Sequence, residues 1–313
     1  MKTIRIINSK QKSCGVYQYG VRLLDALQHS TNKILYSEVA NFQEFVELDF
    51  NEVDLLLFNF IGCDGQGPFG WFRSPQAEYI KNHLKIKTAT INHTADNFAP
   101  FDYYICQNPT NPSGLVLPRP LHSPITYNPT NEVLNVGSFG FAGDHKGFDT
   151  ILHLVNTQLD KAVVNFRITS AYYGDPNCET RTRITEYLKQ IPLKPGITLN
   201  IYNDFLDDAS ISQFAAQNDI LLFPYKVLPS SVQDPCAISS IADYAISWNI
   251  PFGVTNVPAF RHVYRPEIDV NLASIESILA FHKKSYYVDI LKHTWSQQNL
   301  ANSFDEIVKH ILE

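Results

Sequence analysis

Two spacings of apolar residues alternate along the first hundred positions of the chain. Short apolar runs fall at Thr3–Asn8, Asp54–Phe60 (DLLLFNF), Lys87–Ile91 (KTATI) and Asp102–Cys106 (DYYIC). The run DLLLFNF is almost unbroken, which suits a strand buried on both faces of a parallel sheet. Between the runs the period lengthens. From Val16, VYQYGVRLLDALQ places Val21, Leu24 and Leu27 on one helical face, and Pro75–Leu84 reads as a second helix. Strands that alternate with helices predict βαβ crossovers and a parallel α/β sheet.

Between Gly114 and Asn131 this rhythm stops. Pro118, Pro120, Pro124 and Pro129 punctuate GLVLPRPLHSPITYNPTN, a spacing that forbids helix and reads as an inter-domain connection. The α/β pattern then restarts with the strands VLNVGSF, VNFRITS, ITLNIYN, DILLFPY and PFGVTN. Helices FDTILHLVNTQL, RTRITEYLKQI, ASISQFAAQN and SSIADYAISWN lie between them, and terminal helices follow. At about 150 residues per domain, 313 residues accommodate two domains, each able to bury its own core. The boundaries predicted are 1–125, 132–295 and a terminal helix over 296–313. Two Rossmann-like sheets facing one another would direct the loops at their carboxyl ends into an inter-domain cleft, the expected ligand site.

Composition narrows the function classes. Hydrophobic residues make up 44% and charged residues 18% of the chain, a globular profile. Residues 1–125 hold 11 basic and 11 acidic residues, which leaves 14 and 20 of the totals 25 and 31, so the second half carries the whole net charge of -6. This balance speaks against nucleic acid as a partner. It also gives the N-terminal half little attraction to an anionic membrane, and no basic amphipathic helix stands out. The first residues, MKTIRIINSK, lack the long apolar core of a signal peptide, and no stretch of 18 apolar residues occurs. Cys14, Cys63, Cys106, Cys178 and Cys236 are scattered, without metal-ligand or redox spacing. A reducing, cytoplasmic setting is the expectation.

Three segments could carry chemistry. In NVGSFGFAGDHKGFDTIL a strand ends at Gly137, small residues follow at Ser138, Gly140 and Gly143, and Lys146-Gly147 precede a helix. Backbone N–H groups exposed by glycines, a helix N-terminus and a lysine suit a phosphate. The spacing matches neither the P-loop nor the dinucleotide fingerprint, and a structural glycine turn is the alternative. SCGVYQYGVRLL places Gly15 at a similar strand-to-helix turn, where it either admits a diphosphate or sugar or merely starts the helix. In the third segment, Leu221–Asn256, Ser239 and Ser240 either cap a helix or hold a phosphate at its N-terminus.

The order and wording of these segments resemble the GT-B glycosyltransferases of family four. CGVYQYGVRLLDAL is similar to the family's G-x-x-x-Y-x-x-x-L-L-x-A-L helix, and VGSFGFAGDHKGFDTIL to its V-G-R-x…K-G-x-D-x-L-I segment. NDILLFPY, NIPFGVTN and HTWSQQNLANSFDEIVKHIL resemble its later strand, loop and terminal-helix motifs. The resemblance runs collinearly through nearly the whole chain. It implies a C-terminal domain that holds the donor, an N-terminal domain on the acceptor side, and a terminal helix crossing back. Lys146 would hold the donor diphosphate, with Gly15, Gly137 and Ser138 in the phosphate-facing loops. Ser239 and Ser240 would mark the helix N-terminus at the diphosphate, and His93 in TINHTADN the position that reaches the sugar or acceptor. Tyr172, Tyr173 and Tyr202 would lie where the base docks, and Trp295 before the crossing helix. For His93 a hydrogen-bonded structural role is the alternative, for Trp295 packing, and for the tyrosines cover of the sheet edge. Asp207 and Asp208 read more simply as a turn or cap than as a metal pair.

The chain also departs from the family pattern. The family arginine after the glycine is Ser138, and Cys236 and Tyr244 stand where two glutamates are expected. Asp234 and Asp243 lie near enough to substitute, and Arg261 or Arg265 could return the lost charge. The resulting expectation is a metal-independent, cofactor-free transferase that retains anomeric configuration. Its donor would be a nucleotide-diphosphate sugar, UDP- or GDP-linked, and its acceptor a small molecule, a glycan or a lipid-linked species at a membrane surface. The alternatives are an inactive nucleotide-sugar-binding protein, a GT-B sugar-nucleotide epimerase and, more remotely, a two-lobed solute receptor. The residues leave base, sugar, acceptor and oligomeric state open.

Overall fold

A computed structural model describes all residues except 13, 61–69, 94–100, 110–113, 128–130, 171–174, 176, 204–207 and 228–237. Two compact units emerge. The first is built mainly from Met1–Leu121 and His293–Glu313, the second from His122–Val232 and Ser239–Lys292.

In the first unit, strands β1 (Thr3–Ser9), β2 (Lys33–Val39), β3 (Leu55–Phe60), β4 (Lys87–Asn92), β5 (Tyr103–Cys106) and β6 (Leu115–Val116) form one sheet. Its order is β2-β1-β3-β4-β5-β6, and every pairing is parallel. The unbroken apolar run in β3 has the structural reason expected of it. Leu55 and Leu57 enter one core and Leu56 and Phe58 the other, because successive side chains point to opposite faces. The first face is covered by α1 (Gly15–Ala26) and by the C-terminal helix α10 (Gln297–Leu312). Leu300, Phe304, Ile307, Val308 and Ile311 of α10 are buried there, each stabilising the unit by about 1.5–3 kcal/mol. Asp305 anchors the same helix, accepting hydrogen bonds from the Thr31 amide at 2.8 Å and from Asn32 Nδ2 at 2.9 Å. The opposite face carries α2 (Phe42–Val46), α3 (Ser74–Tyr79) and an aromatic cluster in which Phe72 and Phe101 stack at 5.1 Å.

Two details depart from the sequence reading. Strand β2 and helix α2 occupy a stretch where periodicity marks neither, and β2 is a half-buried edge strand. The helix over Pro75–Leu84 is α3 followed by a π turn, Ile80–Leu84, ending at Lys85 in the left-handed region at φ 55°.

The second unit contains β7 (Asn135–Phe141), α4 (Phe148–Gln158), β8 (Ala162–Thr169), α5 (Glu179–Lys189), β9 (Ile197–Tyr202) and α6 (Asp208–Ala216). These are followed by β10 (Ile220–Phe223), α7 (Ile241–Trp248), β11 (Phe252–Val254), α8 (Ile275–Lys284) and α9 (Tyr287–Thr294). Its sheet is again wholly parallel, in the order β11-β10-β7-β8-β9. Side-chain amides, two of them buried, tie it together. Asn165 Nδ2 donates to Asn218 Oδ1 at 2.9 Å, and Asn200 Nδ2 donates to Asn165 Oδ1 at 2.9 Å. Gly137 is required by this ladder, since a Cβ there would lie 2.5 Å from Asn218 Cγ.

The proline-rich connection is packed rather than free. Leu117 is wholly buried in the core of the first unit. In the second unit the His122 amide donates to Ser247 Oγ at 2.9 Å, and Trp248 Nε1 donates to the Ser123 carbonyl at 2.9 Å. Among the described residues no helix is long and apolar enough to cross a membrane.

Candidate functional site

In an open parallel sheet the ligand crevice lies at the carboxyl ends of the strands, where the chain reverses its direction of winding. The first unit reverses between β1 and β3, the second between β7 and β10. Each of these points holds an unusual polar arrangement.

In the first unit, Asn8 near the end of β1 and Asn59 near the end of β3 are fully buried. Gly20 of α1 permits their position, because a Cβ there would meet the two amide nitrogens at 2.5 and 2.7 Å. Backbone carbonyls fix the orientation of both amides: Asn59 Nδ2 donates to Val16 O at 2.6 Å and Asn8 Nδ2 to Tyr17 O at 3.1 Å. Asn59 Nδ2 also donates to Asn8 Oδ1 at 2.9 Å, leaving Asn59 Oδ1 to meet His93 Nε2 at 2.7 Å. On the other side of the ring, Arg119 Nη1 donates to Gln107 Oε1, which turns Gln107 Nε2 towards His93 Nδ1 at 2.9 Å. Because Arg119 carries only donors, Nδ1 must accept and Nε2 must carry the proton. The chain of donors therefore runs Arg119, Gln107, His93, Asn59, Asn8. It continues to the Tyr36 hydroxyl at 2.6 Å from Asn8 Nδ2 and on to Glu38.

His93 is thus held neutral. Burial, and after it the charges of Arg119 and Arg22, pull its pKa down from 6.5 to about 3. Tyr19 packs edge-on against the ring at 4.9 Å. Although His93 keeps part of its surface exposed, both ring nitrogens are engaged by the protein. The structural role weighed for this residue accounts for all its polar contacts.

In the second unit, Gly143, Lys146 and Gly147 lie in the turn between β7 and α4. Gly147 is left-handed at φ 69°, and a Cβ there would fall 2.1 Å from the Pro224 carbonyl oxygen, so the turn and the end of β10 interlock. Gly143 makes room for the His145 ring, which a Cβ would approach to 2.7 Å. Burial, then the neighbouring Lys146 charge, lowers the His145 pKa to about 4 against the opposing pull of Asp144. The adjacent charges are paired: Arg183 with Asp144 at 2.8 Å and Lys226 with Asp149 at 3.0 Å. Lys146 differs. Its Nζ donates to the Tyr225 hydroxyl at 2.7 Å, and among the described residues it forms no ion pair. Helix α4 has Gly147 at its N-cap and so no side-chain cap, and its first-turn N–H groups add partial positive charge next to Lys146 in the chain.

The other sequence candidates fall as follows. Gly15 is the first residue of α1, and a Cβ there would meet nothing within 4 Å. Gly137 and Ser138 are buried within β7. Tyr202 ends β9, 41% exposed and edge-on to Phe214 at 6.1 Å. The Ser239 amide donates to the Ala259 carbonyl at 2.8 Å, so that donor is already in use. Ser240 stands at the N-cap of α7 without a side-chain cap bond. Asp243 is fully buried, 3.9 Å from the equally buried His262 imidazole, and belongs to the interior. Tyr244 stacks on His122 at 3.6 Å. Arg261 Nε donates to the Pro258 carbonyl at 3.1 Å, and Arg265 lies 4.8 Å over the Tyr287 ring. Trp295 is buried. Tyr172, Tyr173, Asp207, Asp234 and Cys236 lie outside the described residues, as does the Asp208 side chain. Among the described residues no group of three or more His, Cys, Asp or Glu side chains could hold a metal ion.

Sequence reasoning missed Asn8, Asn59, Gln107, Arg119 and Tyr225. A signal for two of them was present: Asn59 interrupts LLLFNF and Asn8 interrupts IRIINS, each near the carboxyl end of its strand.

No family model matches this sequence, and no curated protein matches it. Solved structures do share its fold. One is AviGT4, a glycosyltransferase involved in avilamycin A biosynthesis, at 12% identity and a TM-score of 0.60, covering 100% of this chain and 98% of that one. Another is HepE of Anabaena, solved with UDP and glucose, at 9% identity and a TM-score of 0.64, with 99% and 100% covered. A third is an alpha-glucosyltransferase solved with UDP, at 10% identity and a TM-score of 0.61, with both chains covered in full. At such identities the likeness is one of fold: two parallel α/β sheets, of six and five strands, matching those of GT-B glycosyltransferases.

Proposed function

We propose that this chain is a glycosyltransferase that takes a sugar from a nucleotide-diphosphate sugar, UDP- or GDP-linked. The acceptor would be a small molecule, a glycan or a lipid-linked species. The observation that carries this reading is Lys146. It is a lysine without an ion pair among the described residues, next to an uncapped helix start, at the winding reversal of the second sheet. The full-length likeness to glycosyltransferases, some solved with UDP, supports it.

Transfer breaks the bond between the anomeric carbon and the diphosphate oxygen, and negative charge grows on the departing diphosphate. Lys146 and the first-turn N–H groups of α4 are set in place before that charge appears, so stabilising it costs little reorganisation. The lysine supplies positive charge that a metal ion would otherwise bring, in keeping with a metal-independent reaction; retention of configuration rests on the family resemblance alone. Gly15 leaves open space for the donor beside α1, and Ser240 offers the start of α7 as a further contact. Tyr202, with Tyr172 and Asp234 by the family resemblance, completes the proposed donor side, whereas Gly137 and Ser138, expected there from sequence, are buried within β7 and serve its packing. His93 lines the sugar side as a fixed neutral group. General acid or base work needs a free ring nitrogen, and none is left, so its contribution is positional.

A second reading, a protein that binds a nucleotide sugar without transferring it, is favoured by Ser138 in place of the family arginine and by the burial of Asp243. Release of free nucleotide from UDP- and GDP-sugars, with and without candidate acceptors, separates the two. Turnover that vanishes in Lys146→Ala while the fold persists supports the transferase. Nucleotide-sugar binding with no release under any acceptor supports the binder and overturns the transferase.

A further inference from the structure

The amino ends of β4 and β5 in the first unit border a cavity of about 510 Å³, at the opposite end of the sheet from Asn59 and His93. Lys81, Lys85 and Lys87 line it, and Phe72, Phe101 and Tyr103 contribute apolar surface. Among its described lining residues the only carboxylate is Asp102, whose Oδ2 already accepts from the Thr88 amide at 2.8 Å and the Thr88 hydroxyl at 3.0 Å. Among the described residues none of the three lysines forms an ion pair. Lys87 Nζ spends one donor on the Ile311 carbonyl at 2.6 Å and keeps two.

The backbone that gathers these lysines is costly. The π turn Ile80–Leu84 is closed by Lys85 N–H donating to Ile80 O at 3.1 Å, and Lys85 is left-handed at φ 55°. A left-handed residue with a side chain is disfavoured relative to glycine, and π turns are rare and frequently found at functional sites. Here they set two of the ammonium groups on the rim of an aromatic-walled cavity.

We propose that this cavity binds an amphiphilic anion: a phosphate or carboxylate carried on a short apolar chain or ring. The anion lies between the Lys81 and Lys85 ammonium groups on the rim, and the apolar part lies against the stacked Phe72 and Phe101. A bare phosphate lacks the apolar half and an alcohol lacks the charge, so each alone binds more weakly. This site is independent of the nucleotide reading and would exist in a protein with no transferase activity.

The probe is octyl phosphate, titrated calorimetrically into the full chain alongside inorganic phosphate and octanol. Saturable one-to-one binding of octyl phosphate, at least about tenfold tighter than either fragment, is expected. The double variant Lys81→Gln/Lys85→Gln, both on the exposed rim, should keep its thermal transition and bind at least about tenfold more weakly, the least that losing two charge-assisted hydrogen bonds should cost. Flotation with vesicles of phosphatidylcholine and phosphatidic acid distinguishes the sources. Flotation lost in the double variant assigns the site to a lipid headgroup, and octyl phosphate binding without flotation assigns it to a soluble amphiphile. No saturable heat from octyl phosphate, or equal binding by the folded double variant, overturns the proposal.

Discussion

Replacing Gly147 with alanine probes how tightly the proposed phosphate turn is locked to the rest of its sheet. Two separate costs apply. At φ 69° a side chain enters the left-handed region, worth about 1–2 kcal/mol. The new Cβ would also stand 2.1 Å from the Pro224 carbonyl oxygen, and restoring ordinary contact requires a backbone shift of about 1 Å. Overpacking of that kind costs about 1–3 kcal/mol. The sum is about 2–5 kcal/mol, or a fall in melting temperature of roughly 5–15 °C for a unit of this size. Differential scanning calorimetry reads it directly. Gly147→Asn separates the two costs, since asparagine tolerates the left-handed backbone yet carries the same Cβ; most of the loss should remain. Gly15→Ala is the control, with nothing within 4 Å of the new atom, and should melt with the parent protein. Because Pro224 precedes Tyr225, the partner of Lys146, nucleotide affinity should fall with Gly147→Ala as well. Wild-type stability in Gly147→Ala, or complete recovery in Gly147→Asn, would refute the interlocked turn.

The hydrogen-bond chain around His93 makes further claims. Nitrogen-15 shifts of its ring should report the Nε2–H tautomer from neutral pH down to about pH 5, well below the ordinary histidine pKa. Because its folded pKa is depressed to about 3, the stability it contributes is complete above about pH 6.5 and declines as pH falls towards 3. His145, lowered to about 4, acts in the same direction, so His93→Gln should flatten the acid limb of a urea-stability profile without abolishing it; an unchanged limb would contradict the buried neutral ring. Gln107→Glu would set a carboxylate against Nδ1 and should raise the His93 pKa by about 2 units. A titration that stays near 3 would show that Gln107 does not face the ring.

Much of this architecture is legible in the sequence, and the exceptions are instructive. DLLLFNF announces a strand buried on both faces, and β3 is one. The restart of the α/β pattern after the prolines corresponds to a second parallel sheet. Strand β2 escapes because it lies at the sheet edge with most of its residues half-buried, so its hydrophobic pattern is faint. The Pro-rich segment reads as a connection by composition, but the packing of His122 and Ser123 depends on Ser247 and Trp248, more than a hundred positions away, and Leu117 is held in a core drawn from several strands. In the candidate site Lys146 and the glycines are visible as local spacing. The partners that give them meaning, Tyr225, Pro224 and Asn218, come from another strand–turn region and leave no local trace. His93 can be singled out from sequence, but its tautomer cannot, because Asn59 and Gln107 fix it from neighbouring strands.

The central claim is that Lys146 and the start of α4 hold a nucleoside diphosphate. Its most direct test is a calorimetric titration of UDP, GDP, ADP and CMP into the folded protein and into Lys146→Ala, without added metal. One diphosphate should bind clearly, and Lys146→Ala should weaken it by about 10- to 100-fold, the worth of a lost hydrogen bond to a charged group, while leaving the thermal transition in place. Equal affinity in the variant, or silence from every nucleotide in a folded sample, would contradict it.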